Sequence, residues 1–95
     1  MTTYRLTFLR DAKKEWDKLA SPLRKQLEKK LRERLRTPRI EADRLHGLPD
    51  CYKIKLRSVG YRLVYRVFDD RIVVQIVAIG RRERNEAYEQ AKRRL

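Results

Sequence analysis

The stretch Cys51-Tyr-Lys-Ile-Lys-Leu-Arg-Ser-Val-Gly-Tyr-Arg-Leu-Val-Tyr-Arg-Val-Phe68 decides the fold of this chain, because it reads as two strands joined at Ser58-Val59-Gly60. Side chains on the first arm alternate apolar and cationic, and a glycine stands where the turn needs one. Tyr52, Ile54 and Leu56 are expected to face a core. Lys53, Lys55 and Arg57 then form a row on the opposite face, about 7 Å apart, since same-face residues recur at twice the strand rise. On the return arm Arg62 and Arg66 alternate with Leu63, Tyr65 and Val67. The segment carries five cations and no carboxylate. Soluble sheets usually mix signs on an exposed face, because like charges opposite one another are destabilising. A cationic row with no local counter-charge attracts a polyanion.

Ninety-five residues make a single domain over 1–95 with one modest core. The 26 Lys and Arg against 13 Asp and Glu leave a net charge of +13, which points to nucleic acid, an anionic membrane or an acidic protein as partner. Membrane is the weakest of these: no apolar run approaches the ~20 residues of a spanning helix. Met1 to Arg10 also lacks the unbroken apolar core and small-residue cleavage site of a signal peptide, so the expected location is the cytoplasm. The lone cysteine, Cys51, excludes an internal disulfide and a cysteine-rich zinc site. The lone histidine, His46, excludes His-based metal clusters and paired-His acid/base chemistry.

Upstream of the hairpin, Tyr4 to Leu9 alternates as a first strand, and Asp11 falls in the first turn of a helix whose apolar stripe is Ala12, Trp16 and Leu19. Ser21-Pro22 reads as an N-cap hydroxyl followed by proline at the first helical position. Leu23, Leu27, Leu31 and Leu35 follow at i+4 steps. The two helices are expected to form an antiparallel hairpin covering one sheet face. Arg24, Lys25, Lys29, Lys30, Arg32, Arg34 and Arg36 are left for its outer side, which suits either an RNA-facing surface or a solvated one. Thr37-Pro38 stops the helix. Pro38 to Asp50 is an irregular connection tied down by Ile40, Leu45 and Leu48, with His46 on its surface.

Downstream, Asp69-Asp70 reads as a turn into an almost wholly apolar strand, Arg71 to Ile79, ended by Gly80. A final helix follows from Arg81 to Leu95. It buries only Ala87, Ala91 and Leu95, with Tyr88 at the edge, and is expected to be weakly docked and open to displacement. The order strand, helix, helix, strand, strand, strand, helix gives an α+β domain: a small, mainly antiparallel four-stranded sheet with an N-terminal helical hairpin and a C-terminal helix.

The basic helical hairpin, Pro-Arg-Ile-Glu-Ala at 38–42, Leu48-Pro-Asp-Cys-Tyr-Lys-Ile-Lys-Leu-Arg57, Gly60-Tyr-Arg-Leu-Val-Tyr65, and Arg82-Glu-Arg84 with Tyr88 resemble the RelE toxins of bacterial type II toxin–antitoxin pairs over essentially the whole chain. The resemblance implies a RelE-like fold and a ribosome-dependent endonuclease that cuts messenger RNA in the decoding A site, inhibiting translation. It implies attack by the RNA's own 2′-hydroxyl without a metal or cofactor. A RelB-like antitoxin is the implied silencing partner, with operator DNA reached only through that antitoxin. The family's working set falls on Lys53, Lys55, Arg62, Arg82 and Tyr88. Arg44, His46, Arg57, Arg66 and Arg84 complete the expected RNA-contacting set. His46 is a departure, since relatives often have arginine there.

Cleavage by an internal 2′-hydroxyl needs a base, stabilisation of an anionic phosphorane, and relief of charge on the leaving 5′-oxygen. Arg62 offers a planar, permanently charged fork for phosphate oxygens. Lys53 and Lys55, with Arg57 in the same row, repel one another's protons, which lowers a lysine's pKa toward that of a useful base. Tyr88 can stack on a base or take part in proton transfer, and Arg82 can stabilise the leaving oxygen. Two rival functions share the charge pattern: a ParE-like toxin acting on gyrase, and a non-catalytic RNA- or ribosome-binding protein.

Overall fold

The computed structural model describes residues 2–95. Four strands, β1 (Arg5–Phe8), β2 (Cys51–Leu56), β3 (Tyr61–Phe68) and β4 (Val73–Arg81), lie in the spatial order β1-β4-β3-β2. Helices α1 (Arg10–Asp17) and α2 (Ser21–Arg36) follow β1, and α3 (Glu86–Arg94) follows β4. The α+β arrangement is the one expected, except that the sheet is mixed. β1 runs parallel to β4, while the β4–β3 and β3–β2 pairs are antiparallel. Parallel neighbours need a long crossover, and the helical hairpin together with β2 and β3 supplies it. No helix among the described residues is long and apolar enough to cross a membrane.

The alternation in β2 and β3 works as read. Tyr52, Ile54, Leu56, Leu63, Tyr65 and Val67 are buried in one cluster with Ala12 and Trp16 of α1 and Leu27 and Leu31 of α2. Full burial of one leucine contributes ~1.5–3 kcal/mol, so Leu27 and Leu31 are sufficient anchors for a helix that is otherwise charged. Phe8 meets Trp16 edge-on with ring centroids 5.5 Å apart, fixing α1 over β1.

The other sheet face is only partly cationic. Its centre is a second apolar cluster of Cys51, Val64, Val77 and Ala78 under Ala87 and Ala91 of α3. A register shift pairs Val64 with Ala78 but Tyr65 with Ile76, leaving Val77 as an extra residue on β4. This bulge puts Val77 and Ala78 in the same cluster while Ile76 and Ile79 serve the first. One apolar run therefore feeds two cores.

Several boundaries differ from the reading of the sequence. Ser21 is the first residue of α2 and not its cap; Ala20 takes that place without a side-chain hydrogen bond. Arg57 leaves the strand and opens a 3₁₀ turn, Arg57–Val59, closed by Gly60 at φ 66°. Gly80 does not end β4, which runs on to Arg81. A Cβ at Gly80 would lie 2.5 Å from the Glu86 Cβ and 2.9 Å from the Ala87 nitrogen, so the missing side chain is what lets the last helix start against the sheet. A 3₁₀ turn, Arg82–Arg84, and Asn85 at φ 54° precede that helix, which begins at Glu86. Arg34, assigned to the outer side of α2, is instead half-buried.

The apolar side of α3 is as thin as expected, and Leu95 adds nothing to it, being 44% exposed. Its docking is nevertheless reinforced. β1 pairs with β4 only as far as Ile76, so the remaining edge of β4 is open. Arg94 donates to the Val77 carbonyl at 2.8 Å and to both carboxylate oxygens of Glu15 at 2.8 and 3.0 Å. Glu15 in turn accepts the Ile79 N–H at 3.2 Å. A residue from each of two helices thus caps the open strand edge and clamps α3. Arg94→Met is expected to accelerate amide exchange across 86–95 while β3 and β4 keep their protection. Unchanged exchange in α3 would show that the alanine packing alone holds the helix.

Candidate active site

On β2 and β3 the residues turned toward the α3 side are Lys53 and Lys55, and Arg62 and Arg66, with Val64 between the two arginines. Lys55 stands directly opposite Arg62, and Arg62 opposite Gly80. Lys53 has the largest influence on Lys55: its charge, followed by desolvation and by the charges of Arg62 and Arg57, holds the Lys55 ammonium below the ordinary lysine range. Lys53, Lys55, Arg57 and Arg62 are close enough for their charges to act on one another. Among the described residues no carboxylate forms an ion pair with any of them.

Two of the cations on this face are sheltered from water at one atom: Arg62 Nη1 and Arg66 Nε are both buried and have no hydrogen-bond partner among the described residues, and of the two only Arg62 stands beside the lysine pair. Leaving a buried charged donor unsatisfied costs about 1–3 kcal/mol or more, a cost that a phosphate oxygen would remove.

The Arg82 backbone N–H donates to the Gly60 carbonyl at 2.7 Å, which ties the turn after β4 to the turn between β2 and β3. A cleft of about 470 Å³ opens there, lined by Val59, Gly60, Tyr61, Arg81, Arg82 and Glu83. It adjoins the Arg62 end of the sheet, because Tyr61 pairs with Arg81 and Arg62 with Gly80. Arg84 is exposed on the same 3₁₀ turn as Arg82. Tyr88 is half-buried against the second apolar cluster, on the flank of α3 that it shares with Leu95, seven residues on.

The other expected RNA contacts lie elsewhere. Arg66 lies four positions along β3 from Arg62, about 13 Å away. Arg66 stands opposite Cys51, with its guanidinium 4.9 Å from the Phe68 ring centroid. Arg44 bridges to Tyr52 outside the edge of β2 and pairs with Glu41 at 3.5 Å. His46 is exposed in the loop beyond it. The structure therefore joins Lys53, Lys55, Arg57 and Arg62 into one cluster with Arg82 tethered beside it, and sets Arg44, His46 and Arg66 at the opposite end of the hairpin. Cys51 is a strand residue whose thiol burial pushes up to about 11, far from nucleophilic use. The half-buried Arg34 was the residue that charge pattern missed. Its spacing was the available signal, since Leu27, Leu31 and Arg34 recur at i, i+4 and i+7 on one helix stripe.

The family described as "ParE toxin of type II toxin-antitoxin system, parDE" matches residues 6–86. The chain is 58% identical over 92 residues to the mRNA interferase toxin RelE of Escherichia coli, covering 97% of each chain. It is 58% identical over the same length to the mRNA interferase RelE of Shigella flexneri. Its fold superposes on a mutant of E. coli toxin RelE in the free state with a TM-score of 0.89, at 55% identity over 98% of both chains. The intact E. coli RelBE toxin–antitoxin complex matches with a TM-score of 0.81 and 59% identity, over 82% of this chain and 95% of that one. The chain belongs to the RelE/ParE family of type II toxins, and within it to the RelE group.

Removing Lys53 takes away the strongest charge acting on Lys55. In Lys53→Ala the Lys55 Nζ is expected to titrate at higher pH than in the parent, measured by NMR on the selectively labelled side chain. An unmoved titration would mean that the two ammonium groups stay apart in solution.

Proposed function

We propose that this chain is a ribosome-dependent endoribonuclease that cuts messenger RNA in the decoding A site and so arrests translation. The observation that carries the reading is the cluster of Lys53, Lys55, Arg57 and Arg62, which no carboxylate neutralises among the described residues and in which Arg62 Nη1 is buried without a partner. The relatives named as mRNA interferases, 58% identical over 92 residues, support the same activity.

In this mechanism the 2′-hydroxyl of the nucleotide before the scissile phosphate is the nucleophile. Lys55, held below its ordinary pKa by Lys53, removes the hydroxyl proton. The new O2′–P bond forms as the P–O5′ bond breaks. Arg62 donates to the phosphorane oxygens, which hold more negative charge than the ground-state phosphate. Arg82 stabilises the departing 5′-oxygen electrostatically; a guanidinium gives up protons too reluctantly to be its acid. Tyr88 stacks on a base or shares in proton transfer. The departing 5′-oxygen takes a proton from water and Lys55 returns its own to the solvent, so the products are a 2′,3′-cyclic phosphate and a 5′-hydroxyl and no co-reactant is consumed.

Such a site has no histidine pair and lies on an open sheet face. Orientation of the RNA has to come from outside, and a ribosome that presents the codon in one conformation supplies it. Holding reactants in line is worth several kcal/mol, enough to separate a silent protein from an active one.

A RelB-like antitoxin, acidic and extended, is the proposed silencing partner, as the solved RelBE complex suggests by analogy. Steering by the net charge of +13 favours fast capture. An antitoxin helix that takes the place of α3 would remove Tyr88 from the site, and it would have to break the Arg94–Glu15 clamp to do so. Action on ribosomes places the protein in the cytoplasm.

Primer extension on programmed ribosomes tests the function. Cuts confined to the A-site codon are expected, and their absence, with gyrase inhibited instead, would favour a ParE-like activity. Arg62→Ala is expected to lower the single-turnover rate by roughly 10²-fold or more while ribosome binding changes little. Equal losses in rate and binding would reduce Arg62 to an affinity contact. Lys53→Ala and Lys55→Ala should each impair cleavage, with the double variant worse by less than the product of the two losses, because groups acting as a unit are not additive. Strictly multiplicative losses would make them independent phosphate contacts.

A further inference from the structure

β2 is an edge strand, paired with β3 on one side only. Its backbone groups alternate in direction. The Asp50 carbonyl accepts the Val67 N–H across the pair, whereas the Cys51 carbonyl faces away and accepts the Leu45 N–H at 2.9 Å. By the same alternation the Lys53 and Lys55 backbones face outward. The outer edge is held at its start by the 44–48 loop, through the Cys51 bond and the Arg44–Tyr52 bridge. One residue pair further on, that loop has ended.

Arg34 of α2 takes over at that point. Its Nη1 donates to the Lys53 carbonyl at 3.2 Å and to the Tyr65 hydroxyl at 2.9 Å, and its Nη2 pairs with Asp43. Tyr65 passes the connection on by donating to the Pro38 carbonyl at 2.6 Å. The Arg34 side chain is 16% exposed, so the fork is largely desolvated and its geometry is set by packing. Asp43 cancels its charge, so it adds little to the repulsion on β2.

We propose that Arg34 is a positioning residue for the lysine pair: by holding the Lys53 carbonyl at the free edge of the sheet, it keeps Lys53 and Lys55 at the separation that their mutual repulsion opposes. Four neighbouring cations push the edge strand to splay, and hydrogen bonds to the strand's outer carbonyls resist it. Tyr65 ties Arg34 to the partner strand as well, so β2 and β3 are gripped together from α2. This role rests on the proposed use of Lys53 and Lys55 in RNA cleavage, although its structural half does not.

The test compares Arg34→Lys and Arg34→Met in the full chain. Lysine keeps the charge beside Asp43 but cannot span three acceptors in a planar fork, and methionine keeps the apolar stem alone. The first readout needs no ribosome: NMR titration of the Lys55 Nζ and amide exchange across 53–56 in the isolated protein. Both variants are expected to raise the Lys55 pKa and speed that exchange, with the charge-conserving lysine variant showing that charge alone does not suffice. Should Arg34→Met fail to fold, Arg34→Lys decides. The second readout is single-turnover cleavage on programmed ribosomes, where Arg34→Lys is expected to cost about tenfold in rate, with ribosome binding within about twofold and the ascending pH limb moved upward. Unchanged Lys55 titration in the folded variants would overturn the proposal. So would a rate loss matched by lost binding with the pH profile unmoved. If the parent protein does not cleave, the endonuclease reading fails, and the titration still decides whether Arg34 positions the lysines.

Discussion

Mutual repulsion among Lys53, Lys55, Arg57 and Arg62 is the constraint that the rest of the fold has to overcome. Each lies within electrostatic reach of Lys55, and the pull of that arrangement is outward. Two apolar layers oppose it. Leu27, Leu31 and Trp16 press on one sheet face, and the alanines of α3 press on the other beside the charged cluster. The acids are placed at the perimeter instead. Asp43 holds Arg34, Asp50 and Asp69 hold Arg39, and Glu15 holds Arg94. Glu15–Arg94 and Arg39–Asp69 join segments distant in sequence, and Arg34–Asp43 and Arg39–Asp50 tie down the connection between α2 and β2, so these carboxylates serve the frame and leave the cluster bare. A site that is to receive a phosphodiester benefits from this division, because no internal anion has to be displaced first.

Much of this was legible in the sequence, for physical reasons that can be named. Period-two alternation in Cys51–Leu56 and Tyr61–Phe68 specified which side chains meet the first core, since a one-residue slip would have exposed all of them. The leucine spacing of α2 did the same for its helix. The parallel β1–β4 pair was not legible, because four residues of β1 have no local signal for direction. The bulge at Val77 was also hidden, since a continuous apolar run looks the same with or without an extra residue. The cationic residues were counted correctly, but composition alone could not separate Arg62, which stands opposite Lys55, from Arg66, which lies over Phe68 at the other end of the strand, although each is buried at one nitrogen. Arg34 was read as surface charge because most arginines are, and Arg94 was not singled out at all; only their tertiary partners distinguish them.

The family description names ParE, while the relatives that match nearly the whole chain at 58% identity are RelE toxins. The chemistry on the sheet favours the second. A gyrase-binding surface has no use for a lysine held below its ordinary pKa beside a buried arginine nitrogen with no partner, whereas phosphodiester cleavage uses both. The same open, histidine-poor face explains why such a protein depends on another body to orient its substrate. A domain of 95 residues with two thin cores has little room to build a closed pocket, and the proposed ribosomal partner would provide one.

The central claim is that this cluster accelerates attack by the RNA's own 2′-hydroxyl. A single 2′-deoxy substitution at the nucleotide preceding the scissile phosphate, in an otherwise unmodified A-site codon on programmed ribosomes, tests it directly. The account predicts that binding persists and cutting at that phosphate stops, with unmodified codons yielding a 2′,3′-cyclic phosphate end. Cleavage of the deoxy-substituted codon at a comparable rate would contradict it, since the nucleophile would then have to be water or a protein group.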